Sequence, residues 1–376
     1  MPFKKKKAPA VSAVQTAGER MINHPFSEID GYVPLSTPHL SLYATLREAV
    51  PVIDAAIRKL VVLTGGFDVR CDNAAADEAL HEFIKNVPVG GNQNGIWAFV
   101  AAYLDQLLSY GTAVGEMTVS GGRIAGLYNA PLKNIELHRR KDGFGIDVCL
   151  ADGKRQPVKY PELILLSALD PEPGKLGGTS LLKGLPFVSS VLLKIYNTIG
   201  LNFERVGNVR FAVTYRPQND PSDRAYAKDR AMEVARQWGD AMQPGGRIKD
   251  FVTVGDVSIK VIGADNQILD SEVPVRQMLE QIVAKTGIPP FMLGLSWSST
   301  ERMSAQQSDV LTSELEGYRR ILTPVIERIC VMFLRTNGFG GTPEVVWDDI
   351  TLQDGVELAR ARLYNAQAEM IESQRS

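Results

Sequence analysis

A chain of 376 residues with 44% apolar and 22% charged side chains can bury a sizeable core in roughly two or three compact units, which excludes a mainly disordered or collagen-like protein. Lys and Arg number 41 against 43 Asp and Glu, so the formal charge of -2 supplies no overall attraction for nucleic acid and argues against a sequence-specific DNA binder. The three cysteines, Cys71, Cys149 and Cys330, are far apart and in no CxxC pair, so neither a disulfide framework nor a zinc site is expected, and a reducing, cytoplasmic assembly setting fits. No apolar run approaches the roughly 20 residues that cross a bilayer, and residues 1–10 carry lysines without the apolar core of a signal peptide. The expectation is a soluble, unexported protein with no membrane partner.

Residues 1–40 mix Pro, Gly, His and Ser without a period and read as an irregular arm. The Lys4–Lys7 run in it is either a basic contact to DNA or a solvated tail. Leu46, Val50, Ile53, Ile57, Leu60 and Val61 recur at helical spacing over 42–63, with an interruption near Pro51 and a stop at Gly65-Gly66. Helices over 75–84 and 96–110 follow, the second ended by Gly111. From 113 to 169 the pattern alternates in segments 116–119, 124–128, 135–138, 146–150 and 163–166, punctuated by glycine-rich turns, which predicts a small antiparallel sheet.

Thr179-Ser180 is read as the cap of a long helix to about Arg205, with Pro186 bending its first turns. A strand over 209–215, a charged helix over 223–241 and two strands over 251–262 split at Gly255-Asp256 predict a β-α-β-β insert. Asp270 and Ser271 cap a further helix that ends at Gly287. The last strong element, 302–334, carries Leu311, Leu315, Tyr318, Leu322, Ile326, Ile329 and Phe333 at three- and four-residue steps, and Pro324 is expected to kink it.

Four phrases in this order resemble the portal (head–tail connector) proteins of tailed bacteriophages: Gly178-Thr179-Ser180-Leu181-Leu182 opening a helix; 283–290 followed by Met292-Leu293-Gly294; 308–324 ending in Thr323-Pro324; and Trp347-Asp348-Asp349-Ile350. The resemblance implies an α+β subunit with a wing at 41–178 and 302–350, stem helices at 179–207 and 270–292, a clip at 208–269, a tunnel loop at 293–301 and a short crown at 351–376, after the arm at 1–40. It further implies a ring, usually a dodecamer, at one capsid vertex of the virion, assembled in the host cytoplasm. Its partners would be other copies of itself, double-stranded DNA bound without sequence preference, the terminase motor, capsid and scaffold proteins, and the head–tail adaptor. No cofactor or metal is implied.

A DNA channel needs short side chains that touch the duplex weakly, because base-specific contacts would add a barrier at every step. Ser296, Ser298, Ser299 and Thr300 are of that kind. Trp297 can meet the duplex, a neighbouring loop or its own wing. Arg247 and Lys249 in the clip turn face the channel, a partner or solvent.

The enzyme readings rest on less. His24, His39, His81 and His138 form no HExxH pair and sit beside no nucleophile motif, and Gly177-Gly178-Thr179-Ser180 lacks the lysine of a phosphate-binding loop. Asp348, Asp349 and Asp354 are the residues on which a metal-dependent DNA-processing hydrolase would depend, although a strand end followed by a helix start explains them more simply. A ring or scaffold-binding module that is not a portal is the remaining alternative.

Overall fold

Proline sets the first boundary of the fold. Helices α1 (Pro38–Ala49) and α2 (Pro51–Leu63) are separated at Val50, which is held extended at φ -124° and ψ 89° because the Pro51 ring excludes the helical conformation from the residue before it. The computed structural model describes residues 38–140, 145–151, 156–207, 210–216, 221–241, 256–262, 271–295, 301–350 and 352. The chain divides into two units, Met1–Ser189 with Leu279–Ser376, and Ser190–Met278.

In the first unit, β1 (Phe67–Cys71) is followed by α3 (Ala74–Asn86), capped by Asn73, whose Oδ1 accepts from the N–H groups of Ala75 and Ala76. Short strands β2 (Pro88–Val89) and β3 (Gln93–Asn94) lead into α4 (Ile96–Tyr110), the most apolar helix of this unit. Its Ile96, Phe99, Tyr103, Leu104, Leu107 and Leu108 are all buried. Tyr103 keeps its hydroxyl satisfied there by donating to Ser167 Oγ at 2.9 Å.

Strands β4 (Thr112–Ser120) and β5 (Arg123–Asn129) form a hairpin around Gly121-Gly122. Both glycines have positive φ, 61° and 80°, as a two-residue turn matched to the strand twist requires. With β8 (Ile164–Ala168) they complete a five-stranded sheet of order β3-β2-β5-β4-β8, antiparallel except where β2 runs parallel to β5. The strands β6 (Ile135–Arg139) and β7 (Ile146–Leu150) pair only with each other. The single antiparallel sheet predicted for this region is therefore two sheets, the larger of them mixed. A cluster of Val114, Ala130, Ile135, Val148, Val158 and Ile164 joins them.

The long helix α9 (Glu301–Thr336) would span about 54 Å at 1.5 Å per residue, and it buries the predicted stripe: Leu311, Leu315, Tyr318, Leu322, Ile326 and Ile329. Phe333 stacks on Phe83 of α3, with ring centroids 4.1 Å apart. After α9, β11 (Pro343–Trp347) pairs antiparallel with β1, Phe67 opposite Trp347. Neither strand of this pair was in a predicted hairpin, because its partner lies at the other end of the chain.

The second unit begins within α5 (Leu185–Gly207), and α8 (Glu272–Thr286) leads out of it. Between them β9 (Arg210–Arg216) and β10 (Asp256–Ile262) form an antiparallel pair from Arg210↔Ile262 to Arg216↔Asp256. The predicted helix over 223–241 is two, α6 (Pro221–Ala225) and α7 (Ala227–Ala241). The second packs on β9 and buries Val234. Of the two strands predicted for 251–262, β10 is described, and residues 251–255 lie outside the described residues.

The mixed α+β class predicted from the sequence is the class observed.

Candidate functional site

The loop residues Ser296, Trp297, Ser298, Ser299 and Thr300, and the clip residues Arg247 and Lys249, lie outside the described residues. The structure describes how the chain is anchored on both sides of that loop. Ile288 and Pro289 are buried after α8, a 3-10 turn at Pro290–Leu293 follows, and Leu295 N–H donates to Pro290 O at 3.0 Å. On the far side, Ser308 and Leu311 are the first buried positions described in α9. The described residues on both flanks of 296–300 are thus fixed in the core of the first unit.

Pro324 lies inside α9, where it has no N–H to offer the preceding turn. The neighbouring Thr323 hydroxyl donates to Arg319 O at 2.8 Å and accepts from Trp347 Nε1 at 3.0 Å, so the proline turn is tied to β11. Arg319, one turn earlier, donates from Nε to Thr64 O at 2.8 Å, and its guanidinium lies 5.0 Å from the centre of the Trp347 ring. Burial pushes this guanidinium below its ordinary value, while Asp348, Glu316 and Asp349 pull the other way. Two phrases read as separate signals in the sequence, 318–324 and 347–350, therefore meet in one joint.

That joint also accounts for the acids considered as a metal cluster. Asp348 N–H donates to Gly66 O at 3.0 Å, and both Asp348 and Asp349 act on Arg319. Among the described residues no group of three His, Cys, Asp or Glu side chains is placed to hold a metal ion. Asp354 lies outside the described residues.

The phrase 178–182 has a different role from the one predicted. Thr179 and Ser180 do not cap the long helix, which begins at Leu185, and Pro186 sits in its first turn, where a missing N–H costs little. Instead Thr179 N–H donates to Leu169 O at 2.6 Å, Ser180 Oγ to Ser109 O at 2.6 Å and Leu181 N–H to Leu108 O at 3.0 Å. The segment is docked on the end of α4. The Ser180 hydroxyl serves both purposes, since it also accepts from Leu182 N–H at 2.9 Å in the turn before α5, whereas Thr179 docks through its backbone N–H.

Sequence reasoning did not single out Arg47. Its guanidinium donates to Asp105 Oδ1 at 2.6 Å, Ser109 Oγ at 2.7 Å and Asp54 Oδ1 at 2.9 Å, tying α1 to α2 and α4. Arg47 and Asp54 are seven residues apart across a proline break, and Asp105 is far off in sequence, so no local pattern announces the cluster.

No protein-family model matches the sequence, and no curated protein does. Among solved structures, a chain from the virion of a native gene transfer agent (GTA) particle superposes with a TM-score of 0.63 at 14% identity, covering 88% of this chain and 89% of that one. A chain from the neck of the native GTA particle computed with C12 symmetry gives 0.61 at 16% identity, covering 92% and 94%. The chain has the fold of a GTA neck chain.

The resemblance read from the sequence is thus met, at the level of fold, by chains of a virion and its neck along nearly the whole length of both partners. An HK97 family phage portal protein from Corynebacterium diphtheriae covers 81% of this chain and 94% of its own at 13% identity, but with a TM-score of 0.42, too low to establish a common fold.

Proposed function

We propose that the chain is a portal subunit, a structural protein whose copies close into a ring at one capsid vertex and leave a central channel for double-stranded DNA during packaging and ejection. The observation that carries this reading is the fold shared with GTA virion and neck chains over about nine tenths of each. Twelve copies is the number this reading favours, supported by the C12 symmetry applied to that neck.

A physical feature of α5 supports a ring. Tyr196 and Phe203 are 45% and 64% exposed and, seven residues apart, share one helix face, whereas Leu201, 46% exposed, stands roughly 140–160° round the axis. Apolar side chains left bare on opposite faces call for cover from two sides, as a heterologous interface that closes by rotation provides.

In this reading 41–178 with 302–350 is the wing, 179–207 and 270–292 the stem, 208–269 the clip, 293–301 the tunnel loop and 351–376 a short crown. The long helix bends at Pro324. Ser296, Trp297, Ser298, Ser299 and Thr300 face the DNA, and Arg247 and Lys249 serve the channel or a docked partner. The terminase motor and then the head–tail adaptor dock on the ring, which capsid and scaffold proteins surround. The protein works in the virion after assembly in the host cytoplasm.

The test is negative-stain electron microscopy of the purified protein with its mass measured in parallel. Rings with a central hole, at roughly twelve times the 41.2 kDa chain, are expected. Monomers alone, at high concentration and with the capsid and scaffold proteins present, would contradict the assignment.

A further inference from the structure

We propose that Glu314 of α9 is a protonation-dependent latch on the segment 287–295, closed when its carboxyl is neutral and released when it is charged. The carboxyl lies directly over Gly287, the residue that ends α8: a Cβ built there would be 2.9 Å from both Glu314 Cδ and Oε1. Gly287 N–H is engaged with Val283 O at 2.9 Å, and the Thr286 hydroxyl donates to Ile282 O at 2.9 Å, so the helix end is closed by its own groups.

What Glu314 meets there is the C-terminal end of a helix, where outward-facing carbonyls carry partial negative charge. A carboxylate at that end is repelled, whereas a protonated carboxyl has a hydrogen to donate. Although the residue as a whole is exposed, its carboxyl is partly withdrawn from water, and this desolvation raises its pKa above the ordinary carboxylate value.

Among the described residues no other charge relieves it. Among the described residues nothing forms a hydrogen bond or ion pair with the carboxyl, from α8 or from the turn after it. The titratable group that responds to it is Tyr318, one turn on in α9, whose pKa burial raises first, with Glu314 and then Asp170, from the loop after β8, adding to the rise. Both Glu314 and Asp170 are acids, so deprotonation of Glu314 adds a negative charge that no described residue answers.

The sign follows from the raised value. A carboxyl that ionises less readily in the folded joint than in an open one favours the closed joint at low pH, and that preference is lost as pH rises through the folded value. The segment released includes the buried Ile288-Pro289 pair and the 3-10 turn that lead to residue 295.

Amide hydrogen exchange of the full chain, corrected for intrinsic rates and followed from pH 5 to 8, tests this beside Glu314→Gln. The wild type should lose protection at the amides of residues 288–295 as pH rises, and the Gln variant, a lasting copy of the neutral carboxyl, should stay protected throughout. Parallel pH profiles for the two proteins would overturn the proposal. So would a Gln variant left unprotected at every pH while its amides in α4 remain protected as in the wild type.

Discussion

Gly178 lies so close to Gly111 that neither can carry a side chain: a Cβ at Gly178 would run into Gly111 O and the Leu169 backbone, and one at Gly111 would come within 2.6 Å of Ser180 N. Gly111 also ends α4 at φ 79°, a conformation that costs glycine nothing. Gly178→Ala should therefore destabilise the protein by about 1–3 kcal/mol through overpacking, read from the denaturant midpoint. Gly200→Ala, in the middle of α5 with nothing within 4 Å, should instead raise stability by about 0.5–1 kcal/mol.

The Arg47 cluster should behave as a unit. Desolvation opposes the charge, but the bonds to Asp105 and Asp54 hold the guanidinium above its ordinary pKa. Arg47→Met should cost about 2 kcal/mol in thermal or chemical unfolding, the scale of lost bonds to charged groups. Arg47→Lys should recover little, because an ammonium lacks the planar fork that reaches Asp54, Asp105 and Ser109 together.

Thr323→Val removes the acceptor of Trp347 Nε1–H and the donor to Arg319 O at almost constant volume. A loss of about 1–3 kcal/mol is expected, because a half-buried indole N–H is left without its partner. A red shift of tryptophan emission in the folded state would report the loosened β11.

The exposed carboxylate Glu172 is held down to about pKa 2 by the Lys175 and Lys183 ammonium groups. Its folded value is depressed, so its contribution is present above the ordinary carboxylate value and is lost as pH falls toward about 2. A carboxyl-resolved titration should place it near 2 at low salt and move it upward at high salt, since exposed pairs are screened. A midpoint insensitive to salt would show that hydrogen-bond geometry, not charge, sets it.

If α5 is covered from two sides in a ring, Phe203→Glu and Leu201→Glu should each yield folded monomers in which rings no longer form. Electron microscopy would read the assembly and circular dichroism the fold. Rings that persist in both variants would place the subunit contact elsewhere.

Local patterns carried most of the fold. The apolar stripe of α9, the proline break before α2 and the Gly121-Gly122 hairpin were legible because each depends on neighbours a few residues away. The β1–β11 pair and the Arg47 cluster were not, because their partners are brought together by the folded chain and leave no periodic trace. Asn73, directly before α3, caps it by accepting from the Ala75 and Ala76 N–H groups, whereas the Ser180 hydroxyl accepts from Leu182 N–H and also donates to Ser109 O, a remote partner that no local pattern announces.

By itself, then, the sequence determined most of the helical segments, the glycine turns and which family the ordered phrases resemble, since these follow from spacing, backbone restriction and side-chain type. The tertiary structure alone decided that 318–324 and 347–350 are one joint, that Gly111 and Gly178 share one point of contact, and that Glu314 rests on the end of α8. Those relations depend on distances between residues remote in the chain, which only packing sets.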